Sequence, residues 1–210
     1  MKSKYKLGSE DKLTSEHLPE VSKLAGIGEG VKIWAFSKVC DNSLVGENTI
    51  VGRSVYIGPG VLIGANCKIQ NGALLYEPAR LGNGVFIGPG VILTNDLNPR
   101  AVTTEFEMKS EADWKKQGVD IGDGASIGAG SVCVAPVSIG KWAMVGAGSV
   151  VIRDVPDHAI VVGNPAVQIG WVGKSGFRLK KVNHENFKCE KSNETYRLID
   201  GDLNLIQNKD

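Results

Sequence analysis

The chain has 210 residues, a formal charge of +1 and 42% hydrophobic residues, which suits one domain with a packed core. That balance gives no reason to expect a nucleic-acid partner, and no stretch approaches the roughly 18 apolar residues of a membrane span. The 27 glycines are spread along the chain rather than massed in one tract, which points to a fold with many special backbone positions.

From the N-terminus, Met1-Lys2-Ser3-Lys4-Tyr5-Lys6-Leu7 has no apolar run behind its lysines, so no signal peptide is expected and a cytoplasmic location is. Residues 1–26 read as a charged extension with a short helix around 14–24. At Ile27 a period of six begins: Ile27, Ile33, Val39, Val45, Val51 and so on to Leu93 are all aliphatic. The residue four places later is small or β-branched from Val31 to Val91, and glycine commonly follows the aliphatic residue. Six fits neither a helix nor a simple alternating strand. It fits a short strand and a turn, three of which close a triangular coil of 18 residues, with coils stacked at about 4.8 Å.

The repeat breaks once. Leu93 and Ile121 are out of phase, so a loop is extruded near 99–118, a region rich in charge and carrying Trp114. The period resumes from Ile121 to Val151, and the chain leaves the prism after Gly163-Asn164-Pro165-Ala166. Residues 167–210 form a C-terminal extension in which Tyr196 to Leu205 reads as a hairpin around Asp200-Gly201. The four cysteines are widely spaced and contain no CxxC pair, so they read as reduced thiols and no metal is expected. Asn193-Glu194-Thr195 matches a glycosylation sequon and is read as chance.

Residues 18 apart should stack on adjacent coils. Glu77 therefore lies beside Asn95, and Tyr76 beside Thr94, just ahead of the loop, where Asn98 and Arg100 converge. Ala129 and Ala147 are likewise 18 apart and leave a shallow slot.

The hexapeptide period resembles that of the hexapeptide-repeat acyltransferases. The resemblance implies an all-β, left-handed parallel β-helix with one extruded loop and a short C-terminal extension. It also implies acetyl-CoA as co-substrate. Backbone N–H groups along the Ala129/Ala147 slot would hold the pantetheine arm, with Arg153, Lys141 and Lys174 as candidate phosphate partners and Asn164 and Pro165 as further cofactor contacts.

Histidine is scarce: only His17, His158 and His184, none inside the repeats. Without a base a sugar hydroxyl is a poor nucleophile. An activated amine with a pKa near about 8 retains a neutral fraction that can attack a thioester directly. His158 reads as packing or surface. Ile33-Trp34-Ala35-Phe36, Lys68-Ile69-Gln70-Asn71, Thr94-Asn95-Asp96-Leu97-Asn98-Pro99-Arg100, Asp154-Val155-Pro156 through Pro165-Ala166, and Gln168-Ile169-Gly170-Trp171 look like segments of nucleotide-sugar 3-N-acetyltransferases. The kind most resembled acetylates UDP-2-acetamido-3-amino-2,3-dideoxyglucuronate for surface polysaccharide such as O-antigen. That resemblance implies Asn95 as the active-site asparagine and Asn71, Tyr76, Glu77 and Arg100 as the lining of the sugar-nucleotide pocket, in a homotrimer with sites between neighbouring prisms. Asp96 and Asn98 join the substrate candidates, and Asp96 or Glu77 stays open as a base. The family often carries histidines in the Trp-x-Phe-x-x segment, where this chain has Ala35 and Lys38, so UDP- and dTDP-linked acceptors both stay open. A sugar O-acetyltransferase, which needs a base, and a non-catalytic β-helix scaffold are the competing readings. A γ-class carbonic anhydrase would need a histidine metal cluster that the repeats lack.

Overall fold

A computed structural model describes residues 6–7 and 17–207. The chain winds into a triangular parallel β-helix whose strands are mostly two residues long, and the described residues contain no α-helix. Three sheets form the walls. Sheet 1 runs through Lys32–Ile33, Ile50–Val51, Lys68–Ile69, Phe86–Ile87, Ser126–Ile127 and Met144–Val145. Sheet 2 runs from Glu20–Val21 through Tyr56–Ile57, Leu74–Leu75 and Ile92–Leu93 to Val150–Val151. Sheet 3 runs from Gly26–Ile27 to Val137–Ile139. Most neighbouring strands pair in parallel at an offset of 18, as in Leu74↔Ile92 and Leu75↔Leu93.

The six-residue period produces this because the aliphatic residue and its small partner both point inward. Ile33, Ile57, Ile69, Leu75, Ile87, Leu93 and Ile127 are fully buried, as are Val31, Ala73, Val91 and Ala125. Each such aliphatic side chain contributes about 1.5–3 kcal/mol by leaving water. Polar members of the small column are satisfied across coils. Ser37 Oγ donates to Gly52 O (2.7 Å) and accepts from Val55 N (3.1 Å), and Thr49 repeats the pattern with Gly64 and Cys67. Cys67 and Cys133 occupy the same interior, and burial pushes the Cys133 thiol up to about 12.

Two glycine columns serve different ends. Gly88 sits against the next coil, where a Cβ would come within 2.6 Å of Ala129 N. Two residues on, at the corner itself, the backbone is left-handed: Gly90 has φ 66° and Asn66, in the same place in another coil, φ 58°.

The helix read around 14–24 needs correction over its described part. Glu20–Val21 is a strand that pairs with Lys38–Val39, so the coils begin ahead of Ile27; residues 14–16 lie outside the described residues. Val21 stands six residues before Ile27, and burying it in register outweighs the weak helical pattern. After the last coil, Ala159–Gly163 adds to sheet 1 and Ala166–Trp171 folds back antiparallel on it. The remaining chain makes a four-stranded antiparallel sheet, Lys180–Lys181, Asn186–Lys188, Thr195–Ile199 and Asp202–Gln207. Its last turn is Asp200-Gly201, both residues at positive φ (52° and 92°), as a tight hairpin turn demands. Its small core holds Leu179, Phe187, Cys189, Tyr196 and Leu203. His158 joins it to the prism: the ring is buried, with Nδ1 2.9 Å from Val172 O and its centre 5.2 Å from that of the Tyr196 ring. Burial pushes its pKa below the ordinary histidine value.

Candidate active site

The prism has three edges, and the candidate residues divide among them by register. On the edge between sheets 2 and 3, Leu75↔Leu93 carries Glu77 and Asn95 to successive coils, and Tyr76 N bonds Leu93 O. The side chains take different directions, however. Glu77 Oε2 lies over Gly58, where a Cβ would be 2.9 Å away, and no hydrogen bond joins it to Asn95. Tyr76 stacks toward Tyr56 with ring centres 5.2 Å apart. Burial, then the Cys40 thiol and the Glu77 charge, push the Tyr56 hydroxyl up to about 12. Thr94 turns its hydroxyl to Ala135 N (2.9 Å) and so closes the coil behind the loop.

Asn95 faces the other way. It lines a cavity of about 390 Å³ with Asp96, Asn98 and Arg100 on one side and Lys109, Asp113, Trp114, Lys115 and Gln117 from the returning loop on the other. The loop is ordered by its own bonds. Val102 bridges Met108, Asp96 accepts from Asn98 N (2.8 Å), and Asp113 accepts from Ser110 N and Oγ (both 2.9 Å). The Trp114 indole N–H is buried with no partner, the one such side-chain group among the described residues. An unmet buried donor costs about 1–3 kcal/mol. Sequence spacing brings Asn95, Asp96, Asn98 and Arg100 together, but Lys109, Trp114, Lys115 and Gln117 carry no periodic signal and emerge only from the fold of the loop. Arg153 also falls on this edge, two coils beyond Asn95 with buried Ala135 between, rather than beside the alanine slot.

The edge between sheets 1 and 2 carries Arg53, Asn71, Pro89, Ala129 and Ala147 in succession. Along other corners a side chain from the next coil caps the backbone N–H: Asn83 Oδ1 caps Ala65 N (2.8 Å) and Asp157 Oδ1 caps Lys141 N (2.7 Å). Asn71 does the same for Arg53 N (2.9 Å), so its carbonyl oxygen is already engaged. The caps then stop. Proline and alanine follow, both alanines are exposed, and the N–H groups of Asn71, Ala129 and Ala147 make no hydrogen bond within the described chain. Asn164 and Pro165 lie at the end of this edge: Val145↔Val161 aligns the strands, and Gly163 N bonds Ser149 Oγ (3.1 Å). Lys141 and Lys174 lie on the third edge, where Lys174 Nζ sits 5.8 Å from the centre of the Trp142 ring. Within one chain, therefore, neither Arg153, Lys141 nor Lys174 borders the slot.

From its third strand onward the outward residues of sheet 2, Tyr56, Leu74, Ile92, Val132 and Val150, are apolar or aromatic and half-buried, whereas Glu20 and Lys38 on its first two strands are exposed and paired with each other (3.1 Å). Sheet 3 is overlaid instead: Arg80, Asp120 and Ser138 share a groove of about 940 Å³ with Asp202, Leu203 and Asn204 of the C-terminal hairpin. No group of His, Cys, Asp and Glu able to hold a metal occurs among the described residues. Nor is any helix there long and apolar enough to cross a membrane.

A β-helix of hexapeptide coils with an extruded loop defines a class, and sequence comparison identifies it. The family described as "Bacterial transferase hexapeptide (six repeats)" matches residues 25–59 and 60–95, and "Hexapeptide repeat of succinyl-transferase" matches 118–153. Together they span about half of the chain, which belongs to the hexapeptide-repeat transferases. The chain is 37% identical over 79 residues to dTDP-3-amino-3,6-dideoxy-alpha-D-galactopyranose 3-N-acetyltransferase of Aneurinibacillus thermoaerophilus, covering 37% of this chain and 40% of the relative. It is 34% identical over 74 residues to the bifunctional protein GlmU of Fervidobacterium nodosum, covering 34% of this chain and 16% of that protein. The chain thus spans less than half the length of these curated relatives. Among solved structures, a hexapeptide-repeat-containing acetyltransferase from Vibrio cholerae, complexed with acetyl coenzyme A, is similar at 24% identity and a TM-score of 0.49, covering 62% of this chain and 70% of the other.

Proposed function

We propose that the protein is an acetyl-CoA-dependent N-acetyltransferase acting on the 3-amino group of a nucleotide-linked amino sugar, in a cytoplasmic homotrimer. One observation carries the reading: the two halves of the proposed site lie on opposite edges of sheet 2. The uncapped N–H groups of Ala129 and Ala147 offer donors to the amide-rich pantetheine arm, while Asn95 and the loop cavity stand across the sheet. A neighbouring prism set against the apolar sheet 2 brings one copy's alanine edge to the other's loop edge, and three copies close the arrangement with three equivalent sites. The overlaid sheet 3 is the less suitable interface.

In this site the neutral 3-amino group attacks the thioester carbonyl, forming the C–N bond. The tetrahedral intermediate collapses with loss of the C–S bond, and the surplus proton passes to the departing CoA thiolate. Asn95 orients the amine, and a backbone N–H polarises the carbonyl oxygen. No histidine is needed, and His158 fits that economy, committed as it is to Val172 O and the Tyr196 ring. The relative that acetylates a 3-amino dideoxyhexose supports an amine acceptor. A UDP-2-acetamido-3-amino-2,3-dideoxyglucuronate-like sugar destined for O-antigen or related lipopolysaccharide is the acceptor proposed. Asn95→Ala should lower kcat by about a hundredfold, as loss of a positioned polar group does, while the variant stays trimeric by light scattering. Unchanged turnover would remove Asn95 from the mechanism.

A further inference from the structure

The loop cavity holds more positive charge than an acetyl transfer at Asn95 requires. Arg100, Lys109 and Lys115 all line it, and none of them is in an ion pair: those among the described residues join Lys38 to Glu20 and Lys180 to Glu190. Of the two carboxylates in the same wall, Asp96 accepts from Asn98 N and Asp113 from Ser110, so both are engaged in shaping the loop. Lys116 adds a fourth cation from behind, with Nζ 5.4 Å from the centre of the Trp114 ring. The buried, unpartnered indole N–H of Trp114 completes the set with a neutral donor. Three cations outside any ion pair outnumber the two carboxylates of the wall, and Arg100 spends one N–H on Pro99 O (2.8 Å) while keeping others for a ligand; with the unmet Trp114 donor they make a receptor for a multiply charged oxyanion. At about 390 Å³ the space lies at the small end of ligand pockets, which suits one part of a nucleotide sugar rather than the whole.

We propose that this cavity is the diphosphate subsite for the acceptor. Arg100, Lys109 and Lys115 neutralise the two phosphates, and the Trp114 N–H donates to a phosphate oxygen. The proposal rests on the reading of the protein as a nucleotide-sugar acetyltransferase, and adds that the phosphates, not the sugar hydroxyls, secure the acceptor to the loop. An acceptor without phosphate would leave these groups unused. Coenzyme A also carries a diphosphate, so the shared chemistry has two possible sources that kinetics can separate.

The test uses the 210-residue chain and three variants, Trp114→Phe, which keeps a ring and removes the N–H, Lys109→Ala and Lys115→Ala. Calorimetric titration with UDP and with dTDP is run beside steady-state kinetics in both substrates. For each variant the expected result is nucleoside diphosphate binding weakened about tenfold, the low end for a lost hydrogen bond to a charged group. The KM for the amino sugar nucleotide should rise in parallel, with kcat and the KM for acetyl-CoA within twofold of wild type. Unaltered UDP and dTDP binding overturns the subsite, even if the wild type acetylates an amino sugar nucleotide. A rise confined to the acetyl-CoA KM also overturns it, by giving the cavity to the donor. A wild type that binds UDP through these residues but acetylates no amino sugar supports the subsite and overturns only the acetyltransferase reading.

Discussion

At the scale of single residues, corners and close approaches dominate. A methyl group added at Gly88 would meet Ala129 N at 2.6 Å, and backbone on the adjoining coil cannot step aside. Gly88→Ala should destabilise the chain by about 1–3 kcal/mol, the range for overpacking, read as a lower midpoint in urea. His158 supplies a pH signature. Its folded pKa is lowered by burial, so below the unfolded value of about 6.5 the unfolded chain takes up a proton that the fold refuses. Stability should therefore fall on acidification from about pH 6.5, by at most about 1.4 kcal/mol per pH unit until the folded group titrates, and His158→Phe should flatten that slope in urea melts. The sequence period reveals the glycines that face the next coil, because they follow the aliphatic residue. It conceals the second, left-handed column, since Gly90, Asn66 and Ser54 share a backbone angle and not a side-chain type. It also conceals direction: Glu77 and Asn95 stand on successive coils as the spacing requires, yet Glu77 turns back over Gly58.

At the scale of elements, the loop is an insertion into an otherwise unbroken spiral. Leu81 pairs with Ile121, 40 residues on, where the other steps of sheet 3 are 18; the excess of 22 is the loop. Deleting residues 96–117 should restore the step by joining Asn95 to Gly118, and so leave a cooperatively melting β-helix by circular dichroism that no longer binds UDP. Loss of the fold on deletion would mean that the loop is structural rather than functional. The insertion is visible in the sequence because a strict period exposes any change of phase. The strand Glu20–Val21 is in phase too, but a single coil among charged residues gives a weak signal. Lys180–Lys181 and Asn186–Lys188 lack even that, being short strands without alternation that depend on Phe187 and Tyr196 packing beneath them.

At the scale of the whole molecule, one prism leaves sheet 2 bare and divides the candidate site between its two borders. The predicted assembly has three times the 22.4 kDa chain mass, and Ile92→Glu or Val132→Glu, outward on sheet 2, should yield folded monomers without activity. A wild-type monomer at micromolar concentration would separate the two halves of the site and contradict the shared groove. The proposed trimer is not written in the six-residue period, which specifies only what points inward; it would rest on the outward residues of one wall. The most direct measurement of the central claim is release of free thiol from acetyl-CoA against a panel of UDP- and dTDP-linked sugars bearing either a 3-amino or a 3-hydroxyl group. An N-acetyltransferase of this kind releases one thiol per N-acetylated product, with the amino sugars alone. Thiol release with the hydroxyl sugars and not the amines, or with none of the panel, would contradict it.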